Sequence, residues 1–158
     1  MKRGSTLFLK IALFFIGIPA LALGIYGVIS LVNNPANPDY AYMLYPIVIG
    51  MYLSMIPFFG ALYQAFKLLG YIDKSQAFSE LSVKALKKIK FCAIIISGLY
   101  VVIEPFVFLV AELDDAPGLV IFGTVPIFAS MVIAVFAAVL QRLLQEAIDI
   151  KSENDLIV

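Results

Sequence analysis

Four long runs without a charged residue constrain the fold of this chain more than any other feature. The runs comprise residues 11–38, 40–66, 91–103 (continuing after Glu104) and 116–141. A helix needs about 20 apolar residues to cross the hydrocarbon core of a bilayer, and each run is long enough. The sequence therefore predicts an all-α, polytopic membrane protein, a single membrane domain over residues 1–158 with four transmembrane helices near 7–32, 43–66, 91–111 and 119–140.

Composition excludes several classes of function. Hydrophobic residues make up 63% of the chain and charged residues 14%, which is incompatible with a water-soluble enzyme. The 11 basic residues balance the 11 acidic ones, so no basic surplus is left for direct binding of nucleic acid. The chain has no histidine and one cysteine, Cys92, which argues against a metal site and against Ser-His or Cys-His catalysis. We expect no cofactor, no metal and no enzymatic activity.

The basic residues predict the orientation of the spans, because Lys and Arg are retained on the cytoplasmic side during insertion. All eleven flank the spans on one side, whereas the loops at 33–42 and 112–118 contain none. Both termini are therefore predicted to be cytoplasmic, together with a basic loop at 67–90 and a tail at 141–158. A cleaved signal peptide ending near Ala22 is the disfavoured alternative, because the apolar run continues beyond it.

Glu104 is the one acidic residue inside a predicted span, and Lys10 lies near the start of the first span. It forms a polar row with Ser97 and Tyr100, which precede it by seven and four residues on one helical face. Intramembrane carboxyl groups often mark functional sites, and a buried one must be neutral or held by hydroxyl groups. A structural role is the first hypothesis for this row and proton handling is the second. Proline in every span fits kinked, packed helices, or less readily the broken helices of a transporter.

Small residues at helical spacing mark surfaces where helices can approach closely. They occur as Ala20 and Gly24 in the first predicted span and as Ser130, Ala134 and Ala138 in the fourth. We expect these two helices to contact one another, although the same surfaces would also serve a homo-oligomer.

The predicted cytoplasmic face carries two amphipathic segments. Residues 81–90 place Lys84, Lys87 and Lys88 opposite an apolar side, with Ser79 as N-cap, which predicts a short helix along the anionic inner leaflet. After the fourth span an apolar stripe continues beyond the membrane. It comprises Leu140, Leu143, Leu144, Ala147 and Ile148. This stripe is expected to fold onto the loop helix or, alternatively, to dock a partner protein in the helix-in-groove manner.

Several motifs resemble one bacterial family, domain of unknown function 2975. They are residues 61–69 (ALYQAFKLL), 77–79 (AFS), 85–90 (ALKKIK) and the ending 153–158 (ENDLIV). The resemblance implies a four-span protein of the bacterial inner membrane. Family members are frequently encoded beside a very small helix-turn-helix regulator of the Cro/C1 type, which implies a possible regulator partner. Members often carry threonine where this chain has Ile157.

Two functions follow as hypotheses. The first is a non-enzymatic membrane protein that binds or sequesters a small helix-turn-helix transcription regulator through its cytoplasmic loop and tail. The second is a small transporter or permeation component that uses Glu104. A membrane-embedded hydrolase ranks third, because no paired carboxylates or activated nucleophile fall at one depth.

Overall fold

The computed structural model describes residues 2–35 and 38–157. It contains helices α1 (Lys2–Asn33), α2 (Pro38–Asp73), α3 (Glu80–Leu113) and α4 (Gly118–Ile157), and no strand in the described residues. Each helix includes a segment long and apolar enough to cross a membrane. The prediction of an all-α protein with four membrane spans is therefore confirmed.

The helices are longer than the predicted spans. α2 continues to Asp73, α3 begins at Glu80, and α4 continues to Ile157. Hydropathy reports the thickness of the hydrocarbon core, whereas a helix ends only where its backbone is interrupted. The flanking Lys, Leu, Ala and Glu residues are good helix formers, so the helices continue into water. The predicted basic loop contracts to the turn at 74–79, and the predicted tail is helical up to Ile157. Val158 lies outside the described residues.

Two helices end in the same backbone motif. Ser75 after α2 and Asp115 after α3 adopt left-handed conformations, with φ of 59° and 51°. The next residues, Gln76 and Ala116, donate their N–H groups to the carbonyls of Tyr71 and Ala111, at 2.7 and 2.9 Å. This is the Schellman arrangement, which satisfies terminal carbonyls and reverses the chain.

Proline does not interrupt any of the four helices. The α-helical backbone continues through Pro19 in α1, Pro46 and Pro57 in α2, Pro105 in α3 and Pro126 in α4. Broken helices expose backbone groups to the substrate in many transporters. The described helices are continuous, so the expectation of broken helices is wrong for them, and transport itself stays a prediction.

The helices form an antiparallel, open arc. α1 packs on α2, α2 on α3 and α3 on α4, and among the described residues no Cα atom of α1 comes within 8 Å of one in α4. The expected contact between α1 and α4 is therefore wrong. Gly24 lies against Met55 of α2 instead, and Ser130 and Ala134 are buried on α4, on which only α3 packs.

Candidate functional site

The Glu104 carboxyl group lies against α4. Thr124 Oγ1 is 3.2 Å from Glu104 Oε1 and 2.8 Å from the Val120 carbonyl oxygen. Glu104 Oε2 is buried without a hydrogen-bond partner and occupies the place where a side chain at Gly123 would lie. The absence of a Cβ at Gly123 thus provides the space for this carboxyl group.

The predicted polar row divides between two neighbouring helices. The Ser97 hydroxyl lies 3.4 Å from the Ile127 carbonyl oxygen, on the same α4 side as Glu104. Tyr100 turns toward α2, where its Oη is 3.5 Å from Ser54 Oγ. Helical spacing places the three residues on one face of α3. Because α3 packs between α2 and α4, Tyr100 contacts α2, whereas Ser97 and Glu104 contact α4. Gly123 and Thr124 were not predicted as part of this site. Their only sequence signal is a small residue next to a hydroxyl residue within a span.

All four helices contribute to a cavity of about 930 Å³. Tyr100 lines it, but Ser97 and Glu104 do not. Its walls are mainly aliphatic and aromatic, with Ser30, Tyr52, Ser54 and Ser130 as examples of the hydroxyl residues among them. The cavity is therefore separate from the Glu104 site, and no sequence motif signalled it.

The start of α3 differs from the predicted inner-leaflet helix. Residues 80–90 form the first turns of α3 itself, and Val83, Ala85 and Leu86 are buried in the protein. The apolar side therefore packs against neighbouring helices, because α3 has α2 and α4 as neighbours. Lys84, Lys87 and Lys88 are exposed, as expected for a charged surface. Ser79 is the N-cap residue, but its hydroxyl donates to the Gln76 carbonyl oxygen at 2.6 Å rather than capping α3.

The end of α4 extends past the first residue of α3. Gln145 Nε2 contacts Glu80 Oε1 at 3.1 Å, so Gln145 lies level with the first residue of α3. The twelve residues that follow up to Ile157 extend the helix by about 18 Å at 1.5 Å per residue. We call residues 146–157 the α4 extension.

The apolar stripe on α4 is only partly covered. Leu144, Ala147 and Ile148 are half-buried, whereas Leu143 is 56% exposed. Sequence reasoning missed Ile150, which is 66% exposed and lies seven residues after Leu143 on the same face. Coverage of the stripe by the protein itself is therefore incomplete, and docking of a partner on the exposed part stays a prediction.

A polar cluster joins α1 and α2 at the end of the bundle that carries the basic residues, which we call the basic end. Asp73 accepts hydrogen bonds from the Thr6 hydroxyl and from Lys10 Nζ, the latter at 2.8 Å. Lys10 Nζ also lies 5.3 Å from the centroid of the Phe66 ring. Asp73 was not predicted as part of a site. Its sequence signal is that it is an acidic residue within a segment of mainly basic residues.

Comparisons with known proteins identify the family. The family model described as "Protein of unknown function (DUF2975)" matches residues 28–158. The chain is 62% identical over 160 residues to "Uncharacterized membrane protein YoaS" of Bacillus subtilis (strain 168), and the match covers 100% of both chains. No solved structure matches. With four helices long enough to span a membrane, this multi-pass membrane protein belongs to the DUF2975 family.

Proposed function

We propose that this protein is a non-enzymatic membrane anchor that binds a small helix-turn-helix regulator at its basic end. The observation that carries the proposal is the α4 extension, which leaves the bundle as a continuous helix with exposed apolar residues. An amphipathic helix of this kind suits recognition by a groove in a partner protein.

The charge of the α4 extension complements a DNA-binding partner. Its acidic residues are Glu146, Asp149, Glu153 and Asp155, and Lys151 is its one basic residue. The surface that a regulator presents to DNA must be basic, so this helix would attract it electrostatically. Leu143 and Ile150 supply apolar area that such contact would bury. Binding would remove the regulator from its operator.

The test is capture of a small helix-turn-helix regulator of the Cro/C1 type, the kind that is frequently encoded beside family members. The wild type and the Leu143→Asp/Ile150→Asp variant are compared in detergent, with the regulator immobilised. Each buried side chain contributes roughly 1.5–3 kcal/mol, so we expect the affinity to fall by about 100-fold or more. Both side chains are exposed, so the unfolding temperature should be unchanged.

The matched control is Ser152→Asp/Asn154→Asp, which adds the same two charges at exposed positions of the same helix. It should capture the regulator as well as the wild type does. Equal capture by all three proteins would refute docking on this helix. Loss in both variants would show that net charge, rather than Leu143 and Ile150, controls the association.

The alternative function is proton-coupled permeation through Glu104, and the unpartnered Glu104 Oε2 favours it. A protonated Glu104 can donate to Thr124 Oγ1 while Thr124 donates to the Val120 carbonyl, and an ionised Glu104 can accept the Thr124 proton instead. The site thus provides a hydrogen-bond arrangement for either form.

Two substitutions test this alternative in liposomes. If Glu104 handles protons, Glu104→Gln should abolish a pH-dependent flux and leave the fold intact, because glutamine keeps the shape of the side chain. If its role is structural, Glu104→Gln should behave normally and Glu104→Leu should lower the unfolding temperature. An unaltered Leu variant would refute both roles.

A further inference from the structure

We propose that the cavity among the four helices holds one acyl chain of a membrane phospholipid, which enters from the bilayer between α1 and α4. This inference is independent of the proposed function, because the cavity lies within the membrane-spanning part of the bundle. Four observations support it: the length of the cavity, the hydrogen bonds that three of its hydroxyl groups donate within the protein, its volume and its lateral opening.

The cavity is long and runs parallel to the helices. Its wall on α1 extends from Ile16 to Leu31. Fifteen residues of helix correspond to about 22 Å, which fits within the roughly 30 Å hydrocarbon core. The wall on α2 extends from Val48 to Ala65, over a similar length. A linear apolar chain matches this shape better than a compact ligand does.

Several hydroxyl groups in the wall are already bonded to carbonyl groups. Tyr52 Oη donates to the Gly24 carbonyl at 2.6 Å, and Ser54 Oγ donates to the Met51 carbonyl at 2.6 Å. Ser130 Oγ donates to the Pro126 carbonyl. A buried water molecule needs two to four polar partners, and these groups have used their protons within the protein. The cavity therefore favours apolar contents over water.

The volume of the cavity, about 930 Å³, is large enough to admit an acyl chain, and the space is open on one side rather than an enclosed void. An apolar wall of this size is normally covered by lipid or by protein. Atoms that line a void lose their dispersion partners on one side, and an acyl chain restores them. Something apolar must therefore fill the space.

The opening of the helical arc faces lipid. α1 and α4 both line the cavity, yet no Cα atoms of the described parts of these helices approach within 8 Å. Leu23 and Tyr26 of α1 and Ile133 of α4 line the cavity and are 71%, 71% and 52% exposed, so the seam between these helices is open to the side. A phospholipid can insert one chain there while its headgroup and second chain remain in the leaflet, which favours phospholipid over a free fatty acid as the occupant.

The experiment uses the full-length protein in single-copy nanodiscs of phosphatidylethanolamine and phosphatidylglycerol. A probe phospholipid carries a photoreactive diazirine in one acyl chain, and adducts are mapped by mass spectrometry. We expect adducts on Met51 and Tyr100, which lie on the cavity wall formed by α2 and α3. Adducts on the outward-facing Phe15 and Phe122 serve as the internal standard for ordinary lipid contact.

Filling the cavity should remove the inner adducts selectively. Ala61→Phe and Ala129→Phe place a ring inside the cavity, and Ala22→Phe places the same ring on an exposed, non-lining position. The first two variants should lose adducts on Met51 and Tyr100 and keep those on Phe122. The Ala22 variant should keep both sets. If a filled variant fails to fold, the wild-type map alone decides.

Three results would overturn the proposal. The first is a wild type without inner adducts. The second is inner labelling by a diazirine fatty acid but not by the phospholipid probe. The third is rapid modification of Met51→Cys, in a Cys92→Ser background, by a water-soluble maleimide, which would mean that water fills the cavity.

Discussion

Glu104 and Gly123 depend on one another, because the carboxyl group occupies the space that a side chain at position 123 would need. Close packing inside proteins makes such a contact sensitive to a single methyl group. The space at Gly123 therefore explains how the Glu104 side chain fits between α3 and α4 without separating these helices.

Gly123→Ala should lower the free energy of unfolding by about 1–3 kcal/mol, because the new methyl group displaces a confined side chain. In a Glu104→Ala background the same change should be neutral or stabilising by up to about 1 kcal/mol, since alanine favours helix over glycine. Unfolding in detergent by titration with sodium dodecyl sulfate would measure both. Equal effects in the two backgrounds would show that these residues do not interact.

The residues of the candidate sites were only partly predictable from sequence. Glu104 stands out because a charge within an apolar span is rare, but its partners are ordinary residues whose role depends on which helix is adjacent. Tyr100 illustrates the limit: helical spacing assigns it to the face of Glu104, whereas the position of α2 determines its contact with Ser54. The partners of a helix face are a property of tertiary packing.

At the scale of elements, hydropathy predicts where helices cross the membrane and says little about where they end. The ends of α2 and α3 are formed by Ser75 and Asp115 in left-handed conformations, where glycine is the usual residue. No glycine marks either position. Acidic residues and the end of the apolar run still predicted the loop at 112–118, whereas the turn at 74–79 was not located within the longer basic loop. The start of α3 was predicted as a separate helix because the basic, amphipathic residues 81–90 precede the apolar run that begins at Phe91.

Ser75→Gly should stabilise the protein by about 1 kcal/mol, because glycine adopts the left-handed conformation without steric cost. Asp115→Gly should stabilise it less, since aspartate tolerates this conformation better than serine. Thermal unfolding in detergent would rank the two. Ser152→Gly, within the exposed part of α4, is the control and should instead be destabilising. A loss of stability in all three variants would contradict the assigned turn geometry.

The attachment of α1 depends strongly on one carboxylate. Asp73 binds both Thr6 and Lys10, and the side chains of Lys10 and Asp73 are only 23% and 22% exposed. Asp73→Ala should therefore loosen the contact of α1 with α2 by about 1–3 kcal/mol. Hydrogen exchange in the first turns of α1 should rise more in this variant than in Lys10→Ala, which leaves the Thr6 contact. Unchanged exchange in both would show that apolar packing alone holds α1.

At the scale of the whole molecule, the charge pattern predicts that the basic end faces the cytoplasm. In a Cys92→Ser background, a thiol at Asp114 should react with an impermeant reagent in intact cells, whereas thiols at Gln76 and Ser152 should not. All three positions are exposed and avoid the left-handed residues. Reaction at Gln76 and Ser152 with protection at Asp114 would invert the topology.

The number of helices and their alternation follow from sequence, because the thickness of the bilayer imposes both. The open arc does not follow from sequence. Lipid covers apolar helix surfaces as well as another helix does, so closure of the arc depends on close packing between helices. Gly24 and Ala134 lie on surfaces where helices can pack closely, but the spacing of small residues does not indicate which helix is the partner.

The open arc also determines the order in which the helices of this protein can assemble in the membrane. Among the described residues, each helix packs only on the helices that precede and follow it in the chain, so the interhelical contacts join neighbouring hairpin partners. Such low contact order spares the chain the loop-closure entropy of long-range pairing. A helix that leaves the ribosome finds its packing partner already in the membrane, and the bundle can assemble in the order of synthesis without waiting for its last span.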